Sequence, residues 1–298
     1  MSAFAIGLDS MNLLEARVNG SVLMSGTEHF AVQELNPYSK ARLQPDHSRA
    51  AMEYEAIQSA IKQAGARLTT VDAPPGCDDG VFTANWGLVH GNTAILSSLP
   101  APRRAEEPHA KRVFEALGFR TVKAPYRFSG QGDALVCGGR LLVGSRYRTD
   151  ERMHDFLAAQ LDLDVIGLRT KPLRSRYGRA AKNKLTGWPD SFFYDLDLAL
   201  AVIRSDLIAW CPDAFTAASR RRIDRLDVEK IDVGIEEAMR FGCNLFSTGS
   251  TVIMTLRAPR LHAELERRGI ATVAIPVTEL SKAGGSIRCT TLTLTSEQ

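Results

Sequence analysis

The chain has 298 residues, 44% hydrophobic and 24% charged, with 37 Lys and Arg against 34 Asp and Glu for a net charge of +3. That composition is ordinary for a globular chain able to bury a large core, read here as one domain over residues 1–298. It excludes a membrane helix, because no run approaches the roughly 18 apolar residues a span needs; the five scattered cysteines, with no CxxC pair, argue against a disulfide framework or zinc cluster and make a reducing cytoplasm the expected compartment.

The N-terminal stretch MSAFAIGLDSMNLLEARVNG carries acids early and has no charged n-region before an apolar core, so it does not read as a signal peptide. A phrase of amphipathic helix, glycine and β-branched strand then recurs. AMEYEAIQSAIKQA precedes Gly65 and ARLTTVD; EEPHAKRVFEAL precedes Gly118 and FRTVKAP; APRLHAELERR precedes Gly269 and IATVAIPV. Met52, Ala56, Ile57, Ala60 and Ile61 fall at helical spacing, and each glycine stands where a left-handed helix end is expected. Two weaker copies are ERMHDFLAAQ before LDVIGL, and IEEAMRF with Gly242 before CNLFST. Five such units predict an α/β protein of repeated modules, with a doubly wound sheet as the competing architecture.

Between Arg169 and Lys184 lie seven basic residues and no acid, which leaves 30 basic against 34 acidic residues elsewhere. Such a stretch reads as a solvated loop or a phosphate-facing patch. Its single aromatic, Tyr177, is too little for base stacking, so nucleic acid is not the expected partner. Gly130-Gln131-Gly132 opens a strand and lacks the third glycine of a dinucleotide fingerprint; GxxxxGK[ST] and GxSxG are absent. No metal or cofactor is called for.

Each helix–glycine–strand phrase is followed by a short polar segment: CDDGVFTANWGLV, FSGQGDALV, FFYDLDLALAV after the basic stretch, and KAGGSIRCTTLTL. Loops at equivalent ends of repeated units converge, which would gather Asp78, Asp79, Asp133, Asp195, Asp197 and Cys289 around one pocket. A pocket lined by carboxylates suits a cation, and planar guanidinium is the cation two carboxylates hold best.

Here the sequence resembles the amidinotransferase-like penteins, near the prokaryotic dimethylargininase and arginine dihydrolase branch. The resemblance runs through VLMSGTEHFAVQELNPY, PPGCDDGVFTANWGLV, RRAEEP, FSGQGDAL, GSRYRTD, FFYDLDLAL, MRFGCNLFS and KAGGSIRCTTL, in that order. It implies a five-bladed α/β propeller of ββαβ modules with the active site on its axis. It also implies a cysteine thiolate that attacks a guanidinium carbon to give an amidino-thioether, which water or an acceptor amine resolves. Cys289 matches the nucleophile. Asp79 and Asn85 match positions that hold the guanidino group, Phe82 one that packs on its face, and Arg148 one that receives a substrate carboxylate. Asp133 and Asp197 match acids that orient the pocket or bind substrate, and His29 lies in a segment near the mouth. Two positions depart from the pattern: Asp195 stands where the general acid/base histidine is expected, and Ser129 where its glutamate partner is expected.

Those exchanges bear on proton transfer. An ionised carboxylate of ordinary pKa is a poor base at neutral pH, but two adjacent buried acids disfavour double ionisation and push one toward neutrality. The expected function is thus a cysteine-dependent enzyme on a small cationic guanidino or amidine compound with non-standard proton transfer. The alternatives are a non-catalytic pentein that binds such a ligand, and an ordinary hydrolase. A homo-oligomer is compatible with either. The basic insert over 169–190 is expected near the pocket mouth.

Overall fold

The computed structural model describes residues 18–295. The stretch read above as lacking a leader falls largely on residues 1–17, outside the described residues. Fifteen strands form five separate three-stranded sheets, each with one antiparallel and one parallel pairing. The first blade holds β1 (Ser21–Ser25), α1 (His47–Gln63) and β2 (Arg67–Val71). The second holds β3 (Gly87–His90), β4 (Thr93–Leu96), α2 (Glu106–Ala116) and β5 (Arg120–Lys123). The third holds β6 (Ala134–Cys137), β7 (Arg140–Gly144), α3 (Met153–Leu161) and β8 (Asp164–Leu168). The fourth holds β9 (Leu200–Arg204), β10 (Leu207–Trp210), α4 (Ala217–Asp224) and β11 (Glu229–Asp232). After the single turn α5 (Ile235–Ala238), the fifth holds β12 (Phe246–Ser247), β13 (Thr251–Thr255), α6 (Pro259–Arg267) and β14 (Ala271–Ile275). The last strand, β15 (Leu292–Thr295), returns to the first blade and pairs antiparallel with β1, so the chain closes its own ring. This is the five-bladed ββαβ propeller.

The three strongest phrases become α1–β2, α2–β5 and α6–β14. Gly65, Gly118 and Gly269 adopt φ of +80°, +87° and +73°, the left-handed end that lets the chain reverse into its strand. The fourth module differs from the sequence expectation. IEEAMRF forms only the single turn α5, and the module's helix is α4, which carries four charges in eight residues and ends without a glycine. Along α1, Met52 is 68% exposed while Glu53 is buried. The apolar rule fails there because the Glu53 carboxylate accepts from the backbone N–H groups of Thr278, Glu279 and Leu280 and from the Thr278 hydroxyl, pinning α1 to the chain after β14.

The first strand of each blade is entered through a tight turn. One-turn 3-10 helices lead into β3 (Thr83–Trp86), β6 (Gly130–Gly132), β9 (Leu196–Leu198) and β15 (Arg288–Thr290). The fifth turn, leading into β12, spans residues 241–245 with Phe241 left-handed at φ +68°. The turns lean on one another: the Thr83 hydroxyl lies 2.9 Å from the Thr290 carbonyl oxygen and 3.1 Å from that of Leu23. Among the described residues, no helix is long and apolar enough to cross a membrane.

Candidate active site

Four of these turns carry the residues singled out from the sequence. Asn85 lies in the turn before β3, Asp133 ends the turn before β6, Asp195 caps and Asp197 is central in the turn before β9, and Cys289 is central in the turn before β15. All are buried, with Asp195 and Asp197 each 1% exposed and Cys289 3%.

The Cys289 thiol lies 3.5 Å from Asp197 Oδ2, and its sulfur receives the side-chain amide of Asn244 at 3.1 Å. Burial and the Asp197 carboxylate push the thiol well above its usual range; the Ser286 N–H and Asn244 amide work in the opposite direction.

Four buried acids are shifted upward: Asp195 and Asp197 beside the thiol, Asp133 next to them, and Asp79 beside Arg103. Burial raises Asp79 to about 6, against the opposing pull of the Arg103 guanidinium. Burial, then the neighbouring Asp195, holds Asp133 and Asp197 well above the carboxylate range. Asp195 is raised less, because Arg148, Ser129 and Asn85 favour its charged form against burial. One oxygen on each of Asp133, Asp195 and Asp197 is buried with no hydrogen-bond partner, a costly state that a bound cation would relieve.

Asp195 and Ser129 are joined in one network. Asn85 Nδ2 donates to Asp195 Oδ2 at 2.9 Å and lies 3.0 Å from Ser129 Oγ. Asn85 Oδ1 accepts from Arg103 Nη1 at 2.8 Å, which fixes the amide's orientation. Arg103 in turn forks onto Glu106, Nε and Nη2 each 2.7 Å from a carboxylate oxygen. In this arrangement the Asn85 amide is committed to Arg103 and Asp195, so it positions Asp195. Gly132 makes the crossing possible: a Cβ there would lie 2.6 Å from Asn85 Nδ2 and 2.8 Å from Asp195 Oδ2.

The remaining predicted residues form the walls. Phe82 is buried edge-on to Phe30 and lies against Gly285, where a Cβ would stand 2.5 Å from its ring. Arg148 donates to the Leu35 carbonyl at 2.8 Å and stacks over Tyr194, whose hydroxyl donates to the Gly284 carbonyl at 2.7 Å. His29 is exposed on the loop after β1, unlike the buried acids. Sequence reasoning assigned no role to Arg103, Glu106, Tyr194 or Asn244. The i, i+3 spacing of Arg103 and Glu106 was a usable signal; Asn244 lies within the segment MRFGCNLFS, but its partner is 45 residues away. In the basic insert, short bridges join Arg174 to Ala180 and Lys182 to Pro189, and Asn183 donates to the Glu34 carbonyl at 2.9 Å, one residue from the Arg148 acceptor Leu35.

The family profile "N,N dimethylarginine dimethylhydrolase, eukaryotic" matches residues 31–296. The chain is 32% identical over 271 residues to N(G),N(G)-dimethylarginine dimethylaminohydrolase of Mycobacterium tuberculosis, covering 90% of this chain and 84% of that one. It is also 32% identical over 283 residues to the bifunctional arginine dihydrolase/ornithine cyclodeaminase ArgZ of Synechocystis, covering 92% of this chain but 37% of that protein. Among solved structures, the substrate-bound N-terminal domain of ArgZ, an arginine dihydrolase from cyanobacteria, matches with a TM-score of 0.84 at 30% identity over 93% of this chain and 98% of that one. A dimethylarginine dimethylaminohydrolase adduct with 4-chloro-2-hydroxymethylpyridine shares the fold at a TM-score of 0.70 and 17% identity, over 91% and 98% of the two chains. The propeller, the axial turns and these matches together place the chain in the dimethylarginine dimethylaminohydrolase family.

Proposed function

We propose that this protein is a cysteine-dependent enzyme that cleaves a C–N bond of a guanidino or amidine compound, arginine or a modified arginine, through a covalent intermediate on Cys289. The observation that carries this reading is the Cys289 sulfur between two N–H donors and Asp197, inside a group of buried carboxylates with unpartnered oxygens. A guanidinium entering that group ionises the acids it touches and is planar enough to lie on Phe82.

Proton movement then follows from distance. The Cys289 thiol gives its proton to Asp197 Oδ2, 3.5 Å away, once the bound cation has stabilised the thiolate. Thiolate sulfur bonds to the guanidinium carbon. The C–N bond to the leaving amine breaks as that nitrogen takes a proton from Asp197, leaving an amidino-thioether. Water or an amine attacks the thioether carbon, its proton passes to a carboxylate, and the C–S electron pair returns to sulfur. Asp195 is suited to this second step, since its raised pKa brings it nearer the operating pH than an ordinary aspartate.

The test is to incubate the protein with arginine, methylated arginines and other amidines, quench in acid and measure intact mass. The mass gained on Cys289 should equal that of the substrate less the amine that leaves, and Cys289→Ser should gain none. Calorimetric binding of a guanidino compound with neither adduct nor turnover would make the protein a binder instead. That second reading draws on the exchange of imidazole for Asp195.

A further inference from the structure

Five quasi-equivalent turns surround the axis, and four of them carry the candidate residues singled out from the sequence. The fifth, before β12, contributes Asn244. Its side chain is 0% exposed and makes two hydrogen bonds to one residue: Oδ1 accepts from the Cys289 N–H at 3.2 Å, and Nδ2 points at the Cys289 sulfur at 3.1 Å. Its backbone carbonyl accepts from Arg288 N at 3.3 Å. The amide cannot be turned round, because a backbone N–H is a donor and must face the oxygen, which leaves the NH₂ for sulfur.

The groups facing this sulfur are mostly hostile to a thiolate. Asp197 and Asp195 approach from the turn before β9, and the Tyr194 phenol lies beside them. Arg288, on the same turn as Cys289, gives its hydrogen bonds to Thr291, Thr293 and Gln131, so its positive charge reaches Cys289 and Asp197 through space without an N–H aimed at the sulfur. The donors directed at sulfur are the Ser286 N–H and the Asn244 amide.

We propose that Asn244 is the positioning residue of the nucleophile, clamping the Cys289 backbone with its oxygen while its N–H stabilises the thiolate that an imidazolium would otherwise support. This rests on the assignment of Cys289 as nucleophile, but it is tested without a guanidino substrate. Stabilisation by a buried neutral donor needs no charge of its own, so it survives in a site already crowded with acids. It also holds the sulfur in one rotamer, with a lone pair free for attack.

The experiment is the pH dependence of Cys289 alkylation by iodoacetamide, followed by peptide mass spectrometry so that the other cysteines do not interfere, in wild type, Asn244→Ala and Asn244→Asp. Asp is nearly the same shape as Asn, so a packing role makes Asp the milder change. A donor role makes it the worse one, since a carboxylate oxygen then faces sulfur. We expect the half-maximal pH to rise by about one unit for Ala and further for Asp. At fixed pH each unit removes about tenfold of thiolate, partly offset by greater intrinsic nucleophilicity, for a net slowing of about threefold. Should Asn244→Asp fail to fold, Asn244→Leu, which keeps the volume and removes the donor, must slow alkylation at least as much as Ala. An unchanged profile in any folded variant, or Asp milder than Ala, overturns the proposal. If the profile shifts as expected but no guanidino compound ever forms an adduct with wild type, the functional reading fails and the role of Asn244 stands.

Discussion

Asp195 Oδ2 accepts from Asn85, which also donates to the Ser129 hydroxyl, while Asp195 Oδ1 is buried with nothing to meet. An imidazole at this position would need an acid partner to set its tautomer and charge, and Ser129 cannot supply one. On the proposed reading the two positions complement each other: Asn85 donates to the Asp195 carboxylate where a glutamate would accept from an imidazole. Asp195→His alone should restore little hydrolysis of arginine or methylated arginines, and Ser129→Glu alone should add a further buried carboxylate to no benefit. The double change should raise turnover by more than the product of the single effects, within the 10²- to 10⁴-fold that a positioned acid/base contributes. Wild-type hydrolysis at ordinary enzyme rates, abolished by Asp195→Asn, would show instead that the carboxylate already serves as the base. Asp79 gives a second test. Its pKa of about 6 lies above its ordinary 3.8, so its contribution to stability is fully present below 3.8 and is lost as pH rises through about 6. A guanidinium favours the ionised form, so binding expels a proton and affinity should fall up to tenfold per unit as pH drops from 6 toward 4. Calorimetry at pH 5.5 in two buffers of different ionisation enthalpy should show proton release in wild type and less in Asp79→Asn; equal heats for both proteins would refute this.

At the scale of elements, the site is built from turns, and turns are where sequence and structure agree unevenly. Gly132 and Gly285 were visible as glycines in motifs, but the need for them is a close approach of side chains from other blades. Gly132→Ala should push Asn85 from Asp195 and depress adduct formation at least tenfold while leaving the blades paired; an active Gly132→Ala protein would mean that the Asn85–Asp195 bond is dispensable. The strong modules were legible because their helices end on glycine and their strands alternate. The fourth was not, since α4 is a polar helix whose start is marked only by the Thr216 hydroxyl cap on Ser219 N. Glu53 was illegible for a different reason: its hydrogen-bonding partners lie more than 220 residues away. Replacing it by Ala leaves the N–H groups of residues 278–280 unpaired and should cost on the order of 2–4 kcal/mol, read as a lowered melting temperature. The carboxylates and cysteine were legible as a set because a repeated fold brings equivalent loops together, whereas Asn244 has no chemistry of its own to announce it.

Over the whole molecule, the seven cations from Arg169 to Lys184 leave an otherwise slightly acidic protein with one concentrated basic projection. Its tip is exposed, with Tyr177 74% exposed, and the base is fixed. Asn183 holds the Glu34 carbonyl, Trp188 stacks under Arg127 with the guanidinium 4.7 Å from its ring, and the next residue along the first-blade loop, Leu35, accepts from Arg148. A segment anchored on the same loop that holds a wall of the site is coupled to that site mechanically. Removing the tip, residues 174–180, should therefore leave the blades and the melting temperature nearly unchanged, because none of its side chains enters a core. Breaking the anchor with Asn183→Ala should act differently. It frees the Glu34–Leu35 loop, loosens the Arg148 acceptor and should raise the ligand concentration needed for half-maximal adduct formation while the rate at saturation changes little. If the tip deletion moves affinity and the anchor substitution does not, the projection acts through its charge; if neither moves affinity or assembly, it is only a solvated loop. The predicted order, anchor over tip, separates a lid that works by holding a loop from one that works by attracting a ligand, and it follows from where the hydrogen bonds lie, not from how many charges the segment carries.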